Sequence, residues 1–494
     1  MTILSSVIWS HLLSENLLLL GSVLIFAAML MMKAGEKLGV PALFLFLILG
    51  MVIGADGLGL KFEDHELAES IGHFAMTIIL FTAGLETSME ETKPVMASGI
   101  TLSMLGIFLM TLLTGFFVYL IAGTTAGFTL PVCFLFGAIM SSTDSASVFS
   151  VLRGKRLHLR ENLGPMLELE SGSNDPMAMM LTILLLQFVT NGNPEAGSWS
   201  QVLSSAGLFL LQIGIGVVVG QAMGFLSKWM LSKIAMPSGA LCAIFILSSG
   251  FFANGIAGFM GGNRLLALYI TAIIIGNKAK IKYRKEVISF FDGMTWLMQL
   301  AMFMMLGLLA RPSQMLSVLL PALLIGIFMI FVARPASVFL SLLPFKNLSA
   351  RAKLFTSWVG IKGAGPILFA MAPVVAGLEG ADLLFNTVLV ITMMSLLVQG
   401  TTLRPVARLL RLSYDEDPAA ETFGMEVPEE MGMLRDHIVT EDDLAGGATL
   451  RDLSLPHGIR VMMVKREGRF LVPHGSMQLQ AGDRLVIIMG DSDD

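Results

Sequence analysis

Charged side chains are scarce in this sequence, and their scarcity excludes most classes of soluble protein. Asp, Glu, Lys and Arg make up 14% of the 494 residues, while hydrophobic residues make up 55%. Soluble domains carry roughly 25% charged residues. We therefore predict an all-α polytopic membrane protein, because helices satisfy their own backbone hydrogen bonds inside a lipid bilayer. The net charge of −5 decides little about partners, and no nucleic-acid partner is expected.

Cysteine is nearly absent as well. The two cysteines, Cys133 and Cys242, lie in apolar runs without CxxC or Cys/His spacing. This pattern supports neither a disulfide framework nor a zinc site, and packed thiols are the simplest interpretation. We predict no enzyme activity and no cofactor.

Long apolar runs are what the sequence has instead. Runs of about 20 apolar residues predict thirteen membrane spans. Their approximate centres are Leu24, Leu47, Ile78, Phe108, Ile139, Met177, Ile215, Ile246, Ile273, Leu300, Ile327, Phe369 and Ile391. The apolar segment from Ser14 to Met32 is too long for a signal-peptide core and has no basic region before it, so we expect a retained first span.

Basic residues alternate strictly between the two sides of the predicted spans. One set of alternate connections carries twenty Lys and Arg residues, whereas the other carries only Lys61, Arg264 and Arg311. Because positive residues accumulate in cytoplasmic loops, the N-terminus is predicted outside and the C-terminus inside a bacterial inner membrane.

Two of the predicted spans are interrupted by residues that disfavour helix. The fifth contains GAIMSSTDSAS (137–147), and the twelfth contains VGIKGAGP (359–366). Irregular backbone within a membrane survives where it lines protein or water. If the seventh span is a connector, the chain forms two six-helix repeats of opposite orientation whose broken helices cross, which is typical of secondary transporters. Two unrelated kinks are the alternative.

The stretch ELESGSNDPMA (168–178) places carboxylates in the sixth span. On a helix Glu170 and Asn174 share a face, while Asp175 points about 140° away from Glu170. A carboxylate in a low-dielectric site binds protons more readily than one in water. If it binds either a proton or a small cation, competition alone produces an exchanger.

Further oxygen ligands are predicted on the broken fifth span. Asp144 would supply a second carboxylate and Thr143 a hydroxyl or carbonyl oxygen. Oxygen ligands suit alkali cations rather than soft metals. Arg334 and Lys362 also lie within apolar runs, where a charge requires a buried partner or water. We interpret Arg334 as a structural partner for carbonyl groups or a carboxylate.

These motifs resemble a known family. Thr143-Asp144 followed by Glu170-Ser171-Gly172-Ser173-Asn174-Asp175 is similar to the TD and ESxxND signatures of the monovalent cation:proton antiporters of the NhaP type. The resemblance covers the first ~410 residues and implies cation and proton binding at Asp175, with Asn174, Asp144, Thr143 and Ser171 completing the site. The implied monovalent-cation ligands are Asp175, Asp144 and Ser171. An Asn before the Asp implies electroneutral exchange.

One position departs from the family pattern. In the family, the Glu of ESxxND pairs with a basic residue in a GxRG turn, but here the turn is Gly360-Ile361-Lys362-Gly363. The resemblance therefore implies a structural ion pair between Glu170 and Lys362. A buried lysine can also lose its proton, which leaves a role in proton transfer open.

Composition changes abruptly after the last span. We predict a transmembrane exchanger domain at 1–412, an acidic linker at 413–432 and a small cytoplasmic α+β domain at 433–494. Strand-like runs flank a Glu-Gly turn at 467–468, and another follows Gly482-Asp483. The domain resembles the C-terminal lobe of regulator-of-K⁺-conductance domains, which implies a small regulatory ligand or assembly.

The leading function is exchange of K⁺, or of Na⁺, for H⁺, with a role in pH homeostasis. A gated cation channel or ion sensor on the same scaffold is the alternative, although no filter-like run of the TVGYG type occurs. Besides the lipid bilayer, the resemblance implies a homodimer. The favoured K⁺ rests on analogy with the appended domain.

Overall fold

The computed structural model of the chain describes residues 17–489, with some positions left out. Those are residues 39, 63, 124–127, 145–147, 149–156, 191–198, 235, 416–433, 441–442, 445–446, 448, 452, 454–458 and 467–468. The chain divides into two compact units, Met1–Asp415 and Glu416–Asp494. Most of the predicted linker, residues 416–432, lies outside the described residues.

The first unit is helical throughout most of its length. Its first half contains α1 (Leu17–Leu38), α2 (Ala42–Ile53), α3 (His65–Glu86), α4 (Met89–Thr92), α5 (Met96–Ala122), α6 (Leu130–Ile139) and α7 (Leu163–Thr190). Its second half contains α8 (Trp199–Lys233), α9 (Gly239–Phe259), α10 (Arg264–Lys278), α11 (Arg284–Leu309), α12 (Pro312–Phe328), α13 (Arg334–Ser341), α14 (Ala350–Trp358), α15 (Ala364–Phe369), α16 (Met371–Val375) and α17 (Ala381–Leu409).

The helices lie where the apolar runs predict them. All thirteen predicted centres fall inside helical segments. Within the described residues, seven helices are long and apolar enough to cross a membrane, and four apolar helices are shorter. Large apolar side chains such as Leu210 and Leu316 are exposed on the long helices, as expected for a surface in contact with lipid. The number of crossings stays a prediction.

Close helix packing depends on small residues at the contact. Helix α2 crosses α11 where Gly50 faces Gly307, and a Cβ on Gly50 would stand 2.8 Å from the Gly307 Cα. Membrane helices use such residues because backbones must approach closely to gain van der Waals contact. These contacts belong to a buried apolar core that extends through the helical unit.

Three irregular segments interrupt the helices near the centre of the unit. Helix α6 ends at Ile139 and is followed by non-helical backbone over Met140–Asp144, while Val359–Gly363 separates α14 from α15. A π-helical turn, Met329–Ala333, joins α12 to α13 immediately before Arg334 and Pro335. Single π-helical turns often mark functional sites because they shift the side chains that follow.

A short antiparallel sheet ties the end of the helical unit to an earlier connection. Strand β1 (Leu157–Leu159) pairs with β2 (Ser413–Asp415), with His158 opposite Tyr414. The Arg160 amide also donates to the Leu412 carbonyl at 2.8 Å. The first three residues of the predicted linker are therefore part of this sheet.

The second unit contains a four-stranded antiparallel sheet. Its strands are β3 (Leu434–Ile438), β4 (Ile459–Arg466), β5 (Arg469–Leu471) and β6 (Arg484–Met489), in the order β3-β6-β4-β5. The predicted turn at Gly482-Asp483 lies immediately before β6, and the predicted turn at 467–468 lies outside the described residues. The sheet agrees with the β part of the predicted α+β domain, and because no helix occurs among the described residues of this unit, the α part stays a prediction.

Candidate functional site

Two unwound segments, residues 140–144 and 359–363, meet inside the helical unit, and we call their contact the crossing. The Asp144 amide donates a hydrogen bond of 2.9 Å to the carbonyl oxygen of Ile361. This bond satisfies backbone groups that the interrupted helices leave without an internal partner. Contact is close because Gly363 has no side chain, and a Cβ there would stand 2.6 Å from the Asp144 Cγ. The glycine-rich VGIKGAGP run thus permits the approach.

Ser142 connects the crossing to Asp175, the predicted ion-binding carboxylate. Its hydroxyl donates a short hydrogen bond to Oδ1 of Asp175, and its carbonyl accepts a bond of 2.8 Å from the Lys362 ammonium. Gly365 lies beside this contact, where a Cβ would stand 3.2 Å from the Ser142 hydroxyl and 3.5 Å from the Asp175 Oδ1. One serine therefore contacts both Asp175 and the nearest lysine.

Helix α7 presents two more polar side chains to the same segment. The Ser171 hydroxyl donates to the Thr143 carbonyl at 2.9 Å, and the Asn174 Nδ2 donates to the Thr143 hydroxyl at 2.5 Å. Asn174 is 1% exposed, and its Oδ1 has no hydrogen-bond partner among the described residues. A buried oxygen without a donor costs free energy, so a cation ligand would improve its environment.

The structure corrects the predicted partner of Glu170. Arg334 donates from Nη2 to the Glu170 Oε1 at 2.6 Å, and both side chains are buried. The same nitrogen lies 3.4 Å from the Thr356 carbonyl. Gly360 leaves space for this side chain, since a Cβ there would stand 2.7 Å from the Arg334 Nε. The ion pair of Glu170 is thus with Arg334 and not with Lys362, because α13 directs the guanidinium into this position.

Lys362 has a different set of contacts. Its ammonium donates to Ser142, as described, and its backbone amide donates to the Ser395 hydroxyl at 2.9 Å. Ser395 donates to Gln399, whose side-chain amide donates to the Trp358 carbonyl at 2.8 Å. Helix α17 therefore satisfies both ends of the unwound turn that carries Lys362.

The predicted site residues lie together, and three further residues join them. Asp175, Asn174, Asp144, Thr143, Ser171, Glu170 and Lys362 all belong to the crossing or to the face of α7 against it. Sequence reasoning missed Ser142, which is one of four serines in its run and carries no distinguishing pattern. It also did not single out Ser395 and Gln399, which lie in an apolar span far along the chain.

Oxygen atoms dominate the donor set at this crossing. The groups include the Asp144 and Asp175 carboxylates, three hydroxyls and the Asn174 amide oxygen. Hard alkali cations prefer such oxygen ligands. No group of three or more His, Cys, Asp or Glu side chains suited to a metal ion occurs in the described part of the chain.

Comparisons with known proteins identify related families and relatives for both parts of the chain. Residues 22–409 match the family described as sodium/hydrogen exchanger, transmembrane, and residues 434–493 match the TrkA-C domain. The K(+)/H(+) antiporter NhaP2 of Shewanella oneidensis is 36% identical over 477 residues, covering 96% of this chain and 81% of that protein. The K(+)/H(+) antiporter NhaP of Alkalimonas amylolytica is 35% identical over 470 residues, covering 92% and 77%.

A solved structure has the same helical fold. The sodium proton antiporter MjNhaP1 of Methanocaldococcus jannaschii superposes with a TM-score of 0.66 at 23% identity, covering 79% of this chain and 96% of that one. These relatives are membrane transporters and not enzymes. The chain belongs to the sodium/hydrogen exchanger family and carries a TrkA-C domain.

Proposed function

We propose that the chain exchanges one monovalent cation for one proton, by competition of the two ions at Asp175 with alternating access to the two membrane faces. The observation that carries this proposal is the position of Asp175, which meets Ser142 at the crossing of the two unwound segments. Membrane transporters place their ion sites at such breaks because freed backbone and side-chain oxygens can bind a cation there.

The charges at the crossing support one-for-one exchange. Three carboxylates, Asp144, Glu170 and Asp175, face two cations, Arg334 and Lys362. Their formal charge of −1 is neutralised by either one H⁺ or one K⁺ or Na⁺. Each half-cycle then carries the same charge, so the membrane potential does not drive turnover.

The preference for K⁺ and the wider architecture belong to the same proposal. The named relatives from Shewanella and Alkalimonas are K(+)/H(+) antiporters, which favours K⁺ here. Thirteen spans in two inverted repeats, with the N-terminus outside and the C-terminus in the cytoplasm of a bacterial inner membrane, agree with the distribution of basic residues. We place the exchanger domain at 1–412 and the cytoplasmic domain at 433–494, and we propose a role in pH homeostasis.

The C-terminal domain is proposed to regulate exchange by binding a small ligand, and the chain is proposed to form a homodimer. The TrkA-C match over residues 434–493 favours the regulatory role. Deletion of residues 433–494 should shift the pH or ligand dependence of exchange while preserving ion selectivity. Identical activity curves for the full-length and shortened proteins, at matched oligomeric state, would contradict regulation.

Purified protein in liposomes that contain a pH-sensitive dye tests the transport proposal. An imposed K⁺ or Na⁺ gradient should move protons in the opposite direction, at a rate independent of an imposed membrane potential. Asp175→Asn is the matched control that should show no such movement. A steady current that scales with voltage would contradict electroneutral exchange and overturn the proposal.

A further inference from the structure

A small cavity lies between α3, α7 and the helices that follow the second unwound segment. It has a volume of about 20 Å³ and is lined by Glu69 and His73 of α3, by Thr182 of α7, and by Phe369 and Ala372 after the second unwound segment. A cavity needs roughly 10–15 Å³ to hold one water molecule. The space therefore suits one small polar or ionic species.

Two oxygen-bearing groups line this cavity. The Glu69 carboxylate lies 3.6 Å from the His73 Nε2, and both side chains are partly exposed. Thr182 is 1% exposed, and its hydroxyl has no hydrogen-bond partner among the described residues. A hydroxyl in the middle of a helix commonly donates to the carbonyl four residues earlier, so its lack of such a bond here leaves an oxygen available to a ligand.

Phe369 lines the cavity and also lies beside the glycine that contacts Asp175. A Cβ on Gly365 would stand 3.5 Å from the Asp175 Oδ1 and 3.8 Å from Cε2 of Phe369, which itself lines the cavity. Glu69 is in the second turn of α3, and Thr182 is in the C-terminal half of α7. Under the predicted orientation both positions lie between Asp175 and the outer membrane face.

We propose that this cavity is a transit site at which the transported monovalent cation is held between the outer face and Asp175. The inference rests on the proposed antiport function. Glu69 attracts the partly dehydrated cation, and the Thr182 hydroxyl replaces one water ligand. His73 positions the carboxylate, and displacement of the Phe369 ring opens the path to Asp175.

Side-specific transport kinetics test the role of Glu69. Glu69→Gln should raise the KM for the cation roughly twofold to fivefold when the cation is supplied to the outer membrane face, and not when it is supplied to the cytoplasmic face. This is the size expected for losing a partly exposed charge interaction. Right-side-out and everted vesicles supply the two faces. Glu66→Gln is the matched control, because Glu66 is exposed on the same helix and does not line the cavity.

The transit site and the antiport function fail in different ways. Absence of cation-driven proton movement in the wild-type protein would overturn the antiport function. Normal exchange in the wild type, with an unchanged KM for Glu69→Gln at both faces or an equal shift at both faces, would overturn the transit site alone.

Silver ion in nitrate buffer provides a direct probe of the Thr182 position, because Ag⁺ is a small monovalent cation that binds thiolates. Externally added Ag⁺ should inactivate Thr182→Cys, and high K⁺ or Na⁺ should slow the reaction. The wild-type protein, whose two cysteines are buried, measures the background. Equal inactivation of both proteins, or a rate unaffected by the transported cation, would overturn the proposal.

Discussion

The Glu170–Arg334 ion pair makes the most discriminating prediction about how the crossing is held. Both side chains are at most 5% exposed, and the Nη2–Oε1 distance is 2.6 Å. Removing one partner leaves an uncompensated buried charge, which typically costs about 3–5 kcal/mol. Glu170→Gln and Arg334→Met should each lower the free energy of unfolding by about this amount, and the double variant should recover much of the loss.

Lys362→Met is the matched comparison for this cycle. Lys362 lies in the same region, but its ammonium donates to the Ser142 carbonyl. Its loss should cost about 1.5–3 kcal/mol, as for other hydrogen bonds to charged groups. Combined with Glu170→Gln, it should show a smaller coupling free energy than the Glu170–Arg334 pair, because Lys362 interacts with Glu170 through space without a direct ion pair.

Unfolding in mixed detergent micelles, titrated with SDS, measures all six proteins. We expect a coupling free energy above about 2 kcal/mol for Glu170 with Arg334 and a much smaller one for Glu170 with Lys362. The reverse order, with strong coupling to Lys362 and none to Arg334, would refute the pairing described here and restore the partner that the family pattern implies.

Three further predictions concern the carrier, the crossing and the C-terminal sheet. Asp175→Asn should abolish cation-driven proton movement in liposomes and keep the size-exclusion profile of the wild type, because the amide Oδ1 can still accept from Ser142; exchange by the folded variant would contradict this. Gly363→Ala should lower the free energy of unfolding by about 1–3 kcal/mol, because the added methyl group overpacks against Asp144. Gly255→Ala, in open space on α9, should instead raise the free energy of unfolding by about 0.5–1 kcal/mol. Similar effects of both substitutions would argue against the tight crossing. Hydrogen bonds from Arg466 hold the pKa of Asp483 below its usual value of 3.8. The stabilisation from this interaction is therefore complete above pH 3.8 and is lost as the pH falls through the folded-state pKa. Hydrogen-exchange protection of β4 and β6 should fall on acidification in the wild type and be less pH-dependent in Asp483→Asn.

The sequence predicts the helical segments well because long apolar runs and turn residues act locally. The two breaks are also visible, since serine-rich and glycine-rich stretches interrupt apolar runs at GAIMSSTDSAS and VGIKGAGP. The TD and ESxxND motifs locate α7 and the first unwound segment at one site, where the structure brings Thr143, Ser171 and Asn174 into contact. Their roles in ion binding stay predictions.

The choice between Arg334 and Lys362 could not be predicted from spacing. Both cations lie in the second half of the chain, and either could approach Glu170 in three dimensions. In the structure the π-helical turn Met329–Ala333 lies immediately before Arg334, whose guanidinium contacts Glu170. Apolar periodicity carries no signal for such a turn, because the same residues would fit a continuous α-helix.

The pairing of the strands also could not be predicted from local sequence patterns. The sequence indicates strand-like runs within 460–473 and 484–490, yet the order β3-β6-β4-β5 depends on which hydrophobic faces meet in the buried cluster that includes Val464, Leu485 and Ile487. The pairing of β2 with β1 was also hidden, since Ser413–Asp415 begins an acidic stretch that composition assigns to a linker.

Under the proposed exchange, the two buried cations at the crossing, Arg334 and Lys362, have different roles. An arginine stays charged at any pH near neutrality, so Arg334 gives Glu170 a permanent partner and removes that carboxylate from competition for protons and cations. The ammonium of Lys362 instead donates to the carbonyl of Ser142, whose hydroxyl contacts Asp175. An ammonium is a compact point charge that one carbonyl can satisfy, while the fork of a guanidinium requires several acceptors. Under the proposed exchange, the lysine in the GIKG turn therefore fits a site where Glu170 is already paired and where the charge on Asp175 changes in every transport cycle.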